Sequence, residues 1–299
     1  MSADTPLRVG FVGLGNIGLP MARNITGRGF ALTVFDLRAE PLAELAARGA
    51  TVAGTLGELG AGAEVIGVCV RDDAQVEGVL LGAEGILAAA RPGTIVVIHS
   101  TVHPRTIHAM ARHAARRGVG VLDAPITGGA AGAEAKTLCY MAGGDASLIE
   151  RCRPVFKTSA ATIVTTGALG TGAATKLCNN IMMYLGFLAA FEATSLAQAA
   201  GVAREVLLDV TRSNGILTKP MEAYLGLRAA AASRTNDVAL QHMLAGFSDL
   251  AAKDLEVALE CARELGVTLP GTERCRELMA LVYGASPSRS AAARGEDGP

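Results

Sequence analysis

Val9-Gly10-Phe11-Val12-Gly13-Leu14-Gly15-Asn16-Ile17-Gly18 runs a short apolar strand into a G-x-G-x-x-G turn, and Leu19 to Ile25 can open a helix directly behind it. Strand, glycines and helix in that order make a phosphate-binding turn. Gly13 permits the tight bend, Gly15 lets the backbone approach a pyrophosphate, and Gly18 allows the helix to pack closely, with its N-terminus facing the negative charge. Leu14, Asn16 and Ile17 complete the loop. About twenty residues on, Leu32-Thr33-Val34-Phe35 ends at Asp36, where a carboxylate can accept both hydroxyls of an adenosine ribose. Such a carboxylate repels a 2′-phosphate, which favours NAD. Arg38, two residues later, can offset that repulsion, so NADP stays open as an alternative.

Outward from this turn the chain alternates short β-branched runs with helical stretches, the pattern of a parallel, doubly wound sheet. The expected strands are Arg8–Val12, Ala31–Phe35, Val65–Val70, Thr94–Ile98, Val119–Asp123, Leu138–Ala142 and Thr162–Val164. Helices such as Pro41–Arg48 and Thr106–Arg117 separate them. Beyond Gly172 the strands give way to long apolar-periodic segments, Ala173–Ala200, Ala203–Arg212 and Leu244–Leu265. The expected fold is α/β: a Rossmann dinucleotide-binding domain over residues 1–165, then an all-helical domain over 166–284 entered through a long interdomain helix. Ala229–Asn236 is expected as a mobile connection, and 285–299 as a disordered tail.

The 299 residues carry a formal net charge of -1, 50% hydrophobic and 18% charged, a globular composition without a basic block for nucleic acid. The six cysteines form no CxxC pair, which fits reduced thiols in a cytoplasm. Met1–Arg8 is short and polar, without the charged and apolar regions of a signal peptide, so no leader is expected there. The most apolar run, Ile181–Phe191, is shorter than the ~20 residues a bilayer needs, and is expected as a buried helix. The long first helix exposes more apolar surface than one small domain covers, so a homodimer or homotetramer through the C-terminal domain is expected. His99 and His103 can shape a pocket rim, His108 and His113 read as surface helix residues, and Pro104 breaks any helical pairing of the first two, so no metal site is expected.

The segment Gly10–Ala22 resembles the opening of the β-hydroxyacid dehydrogenases, a family that includes 3-hydroxyisobutyrate dehydrogenase, tartronate semialdehyde reductase and, more distantly, 6-phosphogluconate dehydrogenase. Three further stretches follow in the family's order: Ser100-Thr101-Val102-His103-Pro104, Asp123-Ala124-Pro125-Ile126-Thr127-Gly128-Gly129, and Gly170-Thr171-Gly172-Ala173-Ala174-Thr175-Lys176-Leu177-Cys178-Asn179-Asn180. A fourth, Phe247–Leu255, contains Lys253-Asp254. The family usually has Asp at Ile98, Leu-Pro-Asn at Val70-Arg71-Asp72, Ser at Thr127, Gly at Lys136, and a further helix beyond residue 285.

The resemblance implies hydride exchange between a nicotinamide cofactor and a small anionic hydroxy acid. Removing a hydroxyl proton as hydride leaves requires a titratable group, and Lys176, desolvated at the start of the long helix, is the candidate acid/base. Asn180, one helical turn on, would orient the reacting oxygen. The resemblance also implies Thr127, Gly128 and Gly129 as the carboxylate loop, Val70, Arg71 and Thr101 beside the cofactor, and Lys253 at both cofactor and substrate. Two rival readings are an imine-reducing NADPH enzyme of the same superfamily and a catalytically silent dinucleotide-binding protein. The presence of Lys176 argues against both.

Overall fold

A computed structural model describes residues 6–285. The chain divides into two compact units, Met1–Lys176 and Leu177 onward. The expected tail, and the family's further helix, lie outside the described residues except for Ala285 itself.

The first unit interleaves β1 (Leu7–Val12), α1 (Gly18–Ile25), β2 (Phe30–Phe35), α2 (Ala39–Ala47), β3 (Thr51–Val52), α3 (Leu56–Gly62) and β4 (Val65–Val68). It continues through α4 (Asp73–Leu81), α5 (Ile86–Ala89), β5 (Ile95–Ile98), α6 (Pro104–Ala115) and β6 (Gly120–Asp123). After these come β7 (Ile126–Thr127), α7 (Gly129–Glu134), β8 (Leu138–Gly143), α8 (Ala146–Phe156), β9 (Ala160–Gly167) and the start of α9 (Thr171–Ala199). Strands β3-β2-β1-β4-β5-β6 lie side by side and pair in parallel. The order reverses between β1 and β4, which opens a crevice at the carboxyl ends of the strands.

The sheet departs from the all-parallel expectation at β8, which pairs antiparallel with β6 and β7 before a parallel pairing with β9. β6 and β7 both run antiparallel to β8, so the chain keeps its direction past Pro125 and reverses between β7 and β8, where the six-residue α7 is too short for a crossover to a parallel strand.

Alternation along β1 shows why apolar runs form this sheet. Val9 and Phe11 join one core with Met21, Ile25 and Leu122, while Val12 joins the opposite core with Leu59, Ile66 and Ile98. Both faces are buried, so the strands carry no polar face to display.

The second unit contains the rest of α9 and then α10 (Arg204–Ser213), α11 (Lys219–Ser233), α12 (Val238–Glu264), α13 (Pro270–Glu277) and α14 (Met279–Tyr283). Its core gathers Tyr184, Phe187, Leu208, Tyr224, Leu255 and Tyr283, with Phe187 stacked on Tyr224 at 4.7 Å between ring centres. Most of the expected mobile connection is helix instead: α11 runs through Ser233, because the alanines at 229–232 are the strongest helix formers. The run Ile181–Phe191 is buried only at Tyr184, Phe187 and Ala190, and Met182 is 77% exposed. By length and composition alone α9 is long and apolar enough to cross a membrane, and 22% of its most apolar stretch is buried.

Candidate active site

The glycine turn has the geometry its sequence requires. Gly13 sits at φ +88°, and a Cβ there would stand 2.3 Å from the Cys69 carbonyl oxygen. A Cβ on Gly18 would meet the Gly13 carbonyl oxygen at 1.9 Å. Gly15 is the opposite case, with nothing within 4 Å of its absent side chain. The open space is where a pyrophosphate can approach the backbone, and Ile17 caps α1 without a side-chain hydrogen bond, so no side chain closes the positive end of the helix there. These features fit a dinucleotide.

Asp36 is tied into the same turn. Its Oδ2 accepts the Leu14 amide at 2.6 Å, and its Oδ1 accepts the Arg38 amide at 2.9 Å and Arg38 Nε at 3.1 Å. Arg38 Nη2 donates in turn to the Leu14 carbonyl at 2.7 Å. Burial pushes the Asp36 carboxyl up, but the hydrogen bonds from Arg38 and Leu14 outweigh it and hold the group below the usual carboxylate range. A groove of about 450 Å³ extends from this corner, lined by Gly15, Asn16, Leu19, Arg38, Glu40 and Glu134 among others.

The other sheet-unit candidates also stand just beyond strand ends. Val70 follows β4, and its amide donates to Ser100 Oγ at 2.9 Å, which joins it to the β5 end that carries Thr101. Arg71 donates its amide to Gln75 Oε1 at 3.0 Å. Thr127 closes β7, and Gly128 and Gly129 follow at φ 122° and 62°, a backbone only glycine adopts freely. His99 is not on a rim. It is 7% exposed in the core, bonded through Nδ1 to the Ala124 carbonyl at 2.8 Å and stacked on Phe11. Burial pushes its pKa down to about 4. His103 is likewise 2% exposed and caps α6, accepting the Arg105 amide; His108 and His113 lie exposed on α6. Among the described residues no group of three His, Cys, Asp or Glu side chains could hold a metal ion.

Asp123, quoted in a motif but given no role from sequence, anchors the lysine helix. It is 0% exposed at the end of β6, and its carboxylate accepts the Gly170 amide at 2.8 Å and the Ala173 amide at 2.7 Å. Burial pushes its pKa up, while these amides and those of Asp123 and Gly172 oppose the rise. The first turn of α9 is thereby fixed to the carboxyl edge of the sheet, with Lys176 on its second turn.

In the helical unit, Asn180 and Lys253 are brought together on a residue that sequence reasoning passed over. Asp254 is 3% exposed; its Oδ2 accepts Asn180 Nδ2 at 2.8 Å and the Tyr184 hydroxyl at 3.4 Å, and Lys253 Nζ lies 2.7 Å from its Oδ1. Burial first, and the nearby Asp254 charge second, push the Tyr184 phenol well up. The signal was available: position 254 falls beside the inward stripe of Leu244, Ala251, Leu255 and Ala258, where a charge needs partners.

Two family models match the chain. Residues 8–167 match the NAD binding domain of 6-phosphogluconate dehydrogenase, and residues 170–293 match the NAD-binding domain of NADP-dependent 3-hydroxyisobutyrate dehydrogenase. An NAD-dependent L-serine dehydrogenase of Pseudomonas aeruginosa is 36% identical over 88% of each chain. A 2-(hydroxymethyl)glutarate dehydrogenase of Eubacterium barkeri is 31% identical over 92% of this chain and 89% of its own. Among solved structures, 3-hydroxyisobutyrate dehydrogenase of Mycobacterium tuberculosis with L-serine is 30% identical and superposes with a TM-score of 0.80, covering 93% of this chain and 94% of that one.

Proposed function

The chain belongs to the β-hydroxyacid dehydrogenase family, and from that premise we propose that it interconverts a short β-hydroxy acid and its semialdehyde or keto acid, with NAD preferred over NADP. The single observation that carries the reading is the strand-end arrangement: the glycine turn, Asp36, Val70 and Thr101 follow the carboxyl ends of parallel strands, and Asp123 at the end of β6 holds the start of α9 there too. A nicotinamide held at the glycine turn and Asp36 would supply the acceptor or donor of the hydride. Everything else falls to side chains and amides of this chain.

Lys176 takes the hydroxyl proton on oxidation and returns it to the carbonyl oxygen on reduction. Thr127 with the Gly128 and Gly129 amides holds the substrate carboxylate, and Gly128 and Gly129 leave that backbone free of side chains. Asn180 orients the reacting oxygen, and Lys253 adds positive charge while Asp254 fixes its ammonium. Arg71 and Val70 flank the cofactor. Asp36 supports NAD because Arg38 is already engaged by the carboxylate and by the Leu14 carbonyl. Imine reduction is disfavoured by the lysine itself, since a protonatable amine at that point serves an alcohol's proton.

The same reading makes the protein a cytoplasmic homodimer or homotetramer. The weakly buried apolar stretch of α9, with Leu196 72% exposed and Val206 and Val210 each 54% exposed on α10, supports a second copy as the cover. Initial rates of NAD reduction across a panel of short hydroxy acids and their methyl esters test the proposal. Turnover of at least one acid, with its ester much poorer, is expected. No turnover across the panel, or equal efficiency for acids and esters, contradicts it.

A further inference from the structure

The six-residue helix α7 is held from outside. It begins at Gly128 and Gly129, with φ 122° and 62°, and is followed by Lys136, a non-glycine residue at φ 59°. Left-handed positions at both ends mean that the flanking backbone does not carry a regular helical geometry through to α7. Its underside is small as well: Gly128 and Gly132 lie against Leu138 without side chains that would key its rotation.

What ties α7 down comes from α1. Arg23 Nη1 pairs with Glu134 Oε1 at 2.7 Å, and Asn24 Nδ2 donates to the Ala133 carbonyl at 2.8 Å. A second bond from Asn24 reaches Ser159 Oγ at 3.3 Å, and Arg23 Nε is braced by Glu44 Oε1 at 2.8 Å. So adjacent residues of α1, whose N-terminus closes the glycine turn, grip the last turn of α7, which continues directly from the Thr127–Gly129 loop. The groove of about 450 Å³ beside Gly15 and Asn16 is also lined by Ala130 and Glu134. A dinucleotide seated on the turn therefore lies against both helices.

We propose that α7 transmits cofactor occupancy to the Thr127–Gly129 loop, with Arg23 and Asn24 as the positioning residues that couple the two. This rests on the reading of Gly13–Gly18 as the dinucleotide turn and of Thr127–Gly129 as the substrate's anion loop. The consequence is positive coupling: the cofactor narrows the range of α7 and so favours the form of the loop that takes the carboxylate. The coupling is reciprocal, so the hydroxy acid tightens cofactor binding by the same factor.

Hydrogen exchange with and without NADH tests this without a known substrate. In the native protein NADH slows exchange over residues 13–18 and, on the order of tenfold, over 128–137. In the Arg23→Met, Asn24→Ala double variant the protection of 13–18 persists while that of 128–137 falls below about twofold. Glu134→Gln, which removes only a solvent-exposed partner and should fold normally, loses part of the 128–137 protection. A merely loosened α7 would exchange faster in both states and leave the NADH ratio unchanged. That unchanged ratio overturns the inference, as does native protein in which NADH protects 13–18 but not 128–137. Absence of NADH protection at 13–18 rejects the dinucleotide reading, and the inference with it.

Discussion

Asp123 in the sheet unit and Asp254 in the helical unit are both buried carboxylates, at 0% and 3% exposure, yet different parts of the chain satisfy them. Asp123 is bonded by main-chain amides of the α9 start. Asp254 is bonded by Asn180, Tyr184 and Lys253 side chains. An amide N–H can only donate, so the partners of Asp123 demand an acceptor at both oxygens. Asn180 can flip and Tyr184 can accept as well as donate, so two of the three partners of Asp254 adapt, while the Lys253 ammonium only donates. One site is rigid by construction and the other is adjustable, and the rigid one is the edge that fixes the start of α9.

The largest effect should come from Asp123→Asn, which points an NH2 group at an amide donor. We expect a loss of about 3 kcal/mol in urea unfolding monitored in the sheet unit. A loss below about 1 kcal/mol would show that the amides re-satisfy themselves and would remove the contrast.

Nearly as large is the acid response of His99. Its folded pKa is pushed down to about 4 from the ordinary 6.5, so the unfolded chain takes up a proton below pH 6.5 that the folded chain refuses until about pH 4. Stability from this residue is complete above pH 6.5 and falls by about 3 kcal/mol as pH drops through that window. His99→Phe should flatten this slope in unfolding curves at about pH 4.5 and about pH 7.5. An unchanged slope would transfer the acid sensitivity to other groups.

Asp36→Ser removes charge-assisted bonds at the ribose corner, and NAD should bind about 30-fold more weakly, near 2 kcal/mol, while NADP loses less. Titration of NADH and NADPH fluorescence reads both, and equal losses would detach Asp36 from cofactor choice. The smallest effect is Asp254→Asn, at about 1 kcal/mol, because Asn180 can turn its amide and Lys253 keeps 19% of its side chain in solvent. A loss matching that of Asp123→Asn would erase the distinction between the two sites.

The same contrast decides what could be read in advance. β1, β2, β4 and β5 were legible as apolar runs punctuated by glycine or proline, and Asp36 as an acidic residue about twenty positions beyond the glycine turn that it hydrogen-bonds. β3 and β7 were not, since two residues carry no periodicity. Ala229–Asn236 read as a mobile connection, although its alanines are strong helix formers and α11 runs through Ser233. Asp123 was quoted without its role, because its amide partners lie 47 and 50 residues downstream. Asp254 was hidden in the same way, 74 residues from Asn180. Local chemistry shows itself in local sequence, whereas a buried charge declares its partners only once the chain is folded.

The account turns on the lysine that Asp123 holds in place, and the most direct test is Lys176→Ala, assayed for turnover with the best acid of the panel and for NADH affinity by fluorescence. Turnover should fall by ~10²- to 10⁴-fold while NADH affinity stays within about twofold, since the role proposed for the residue is to move a proton and not to bind the dinucleotide. Turnover close to that of the native protein would contradict the account.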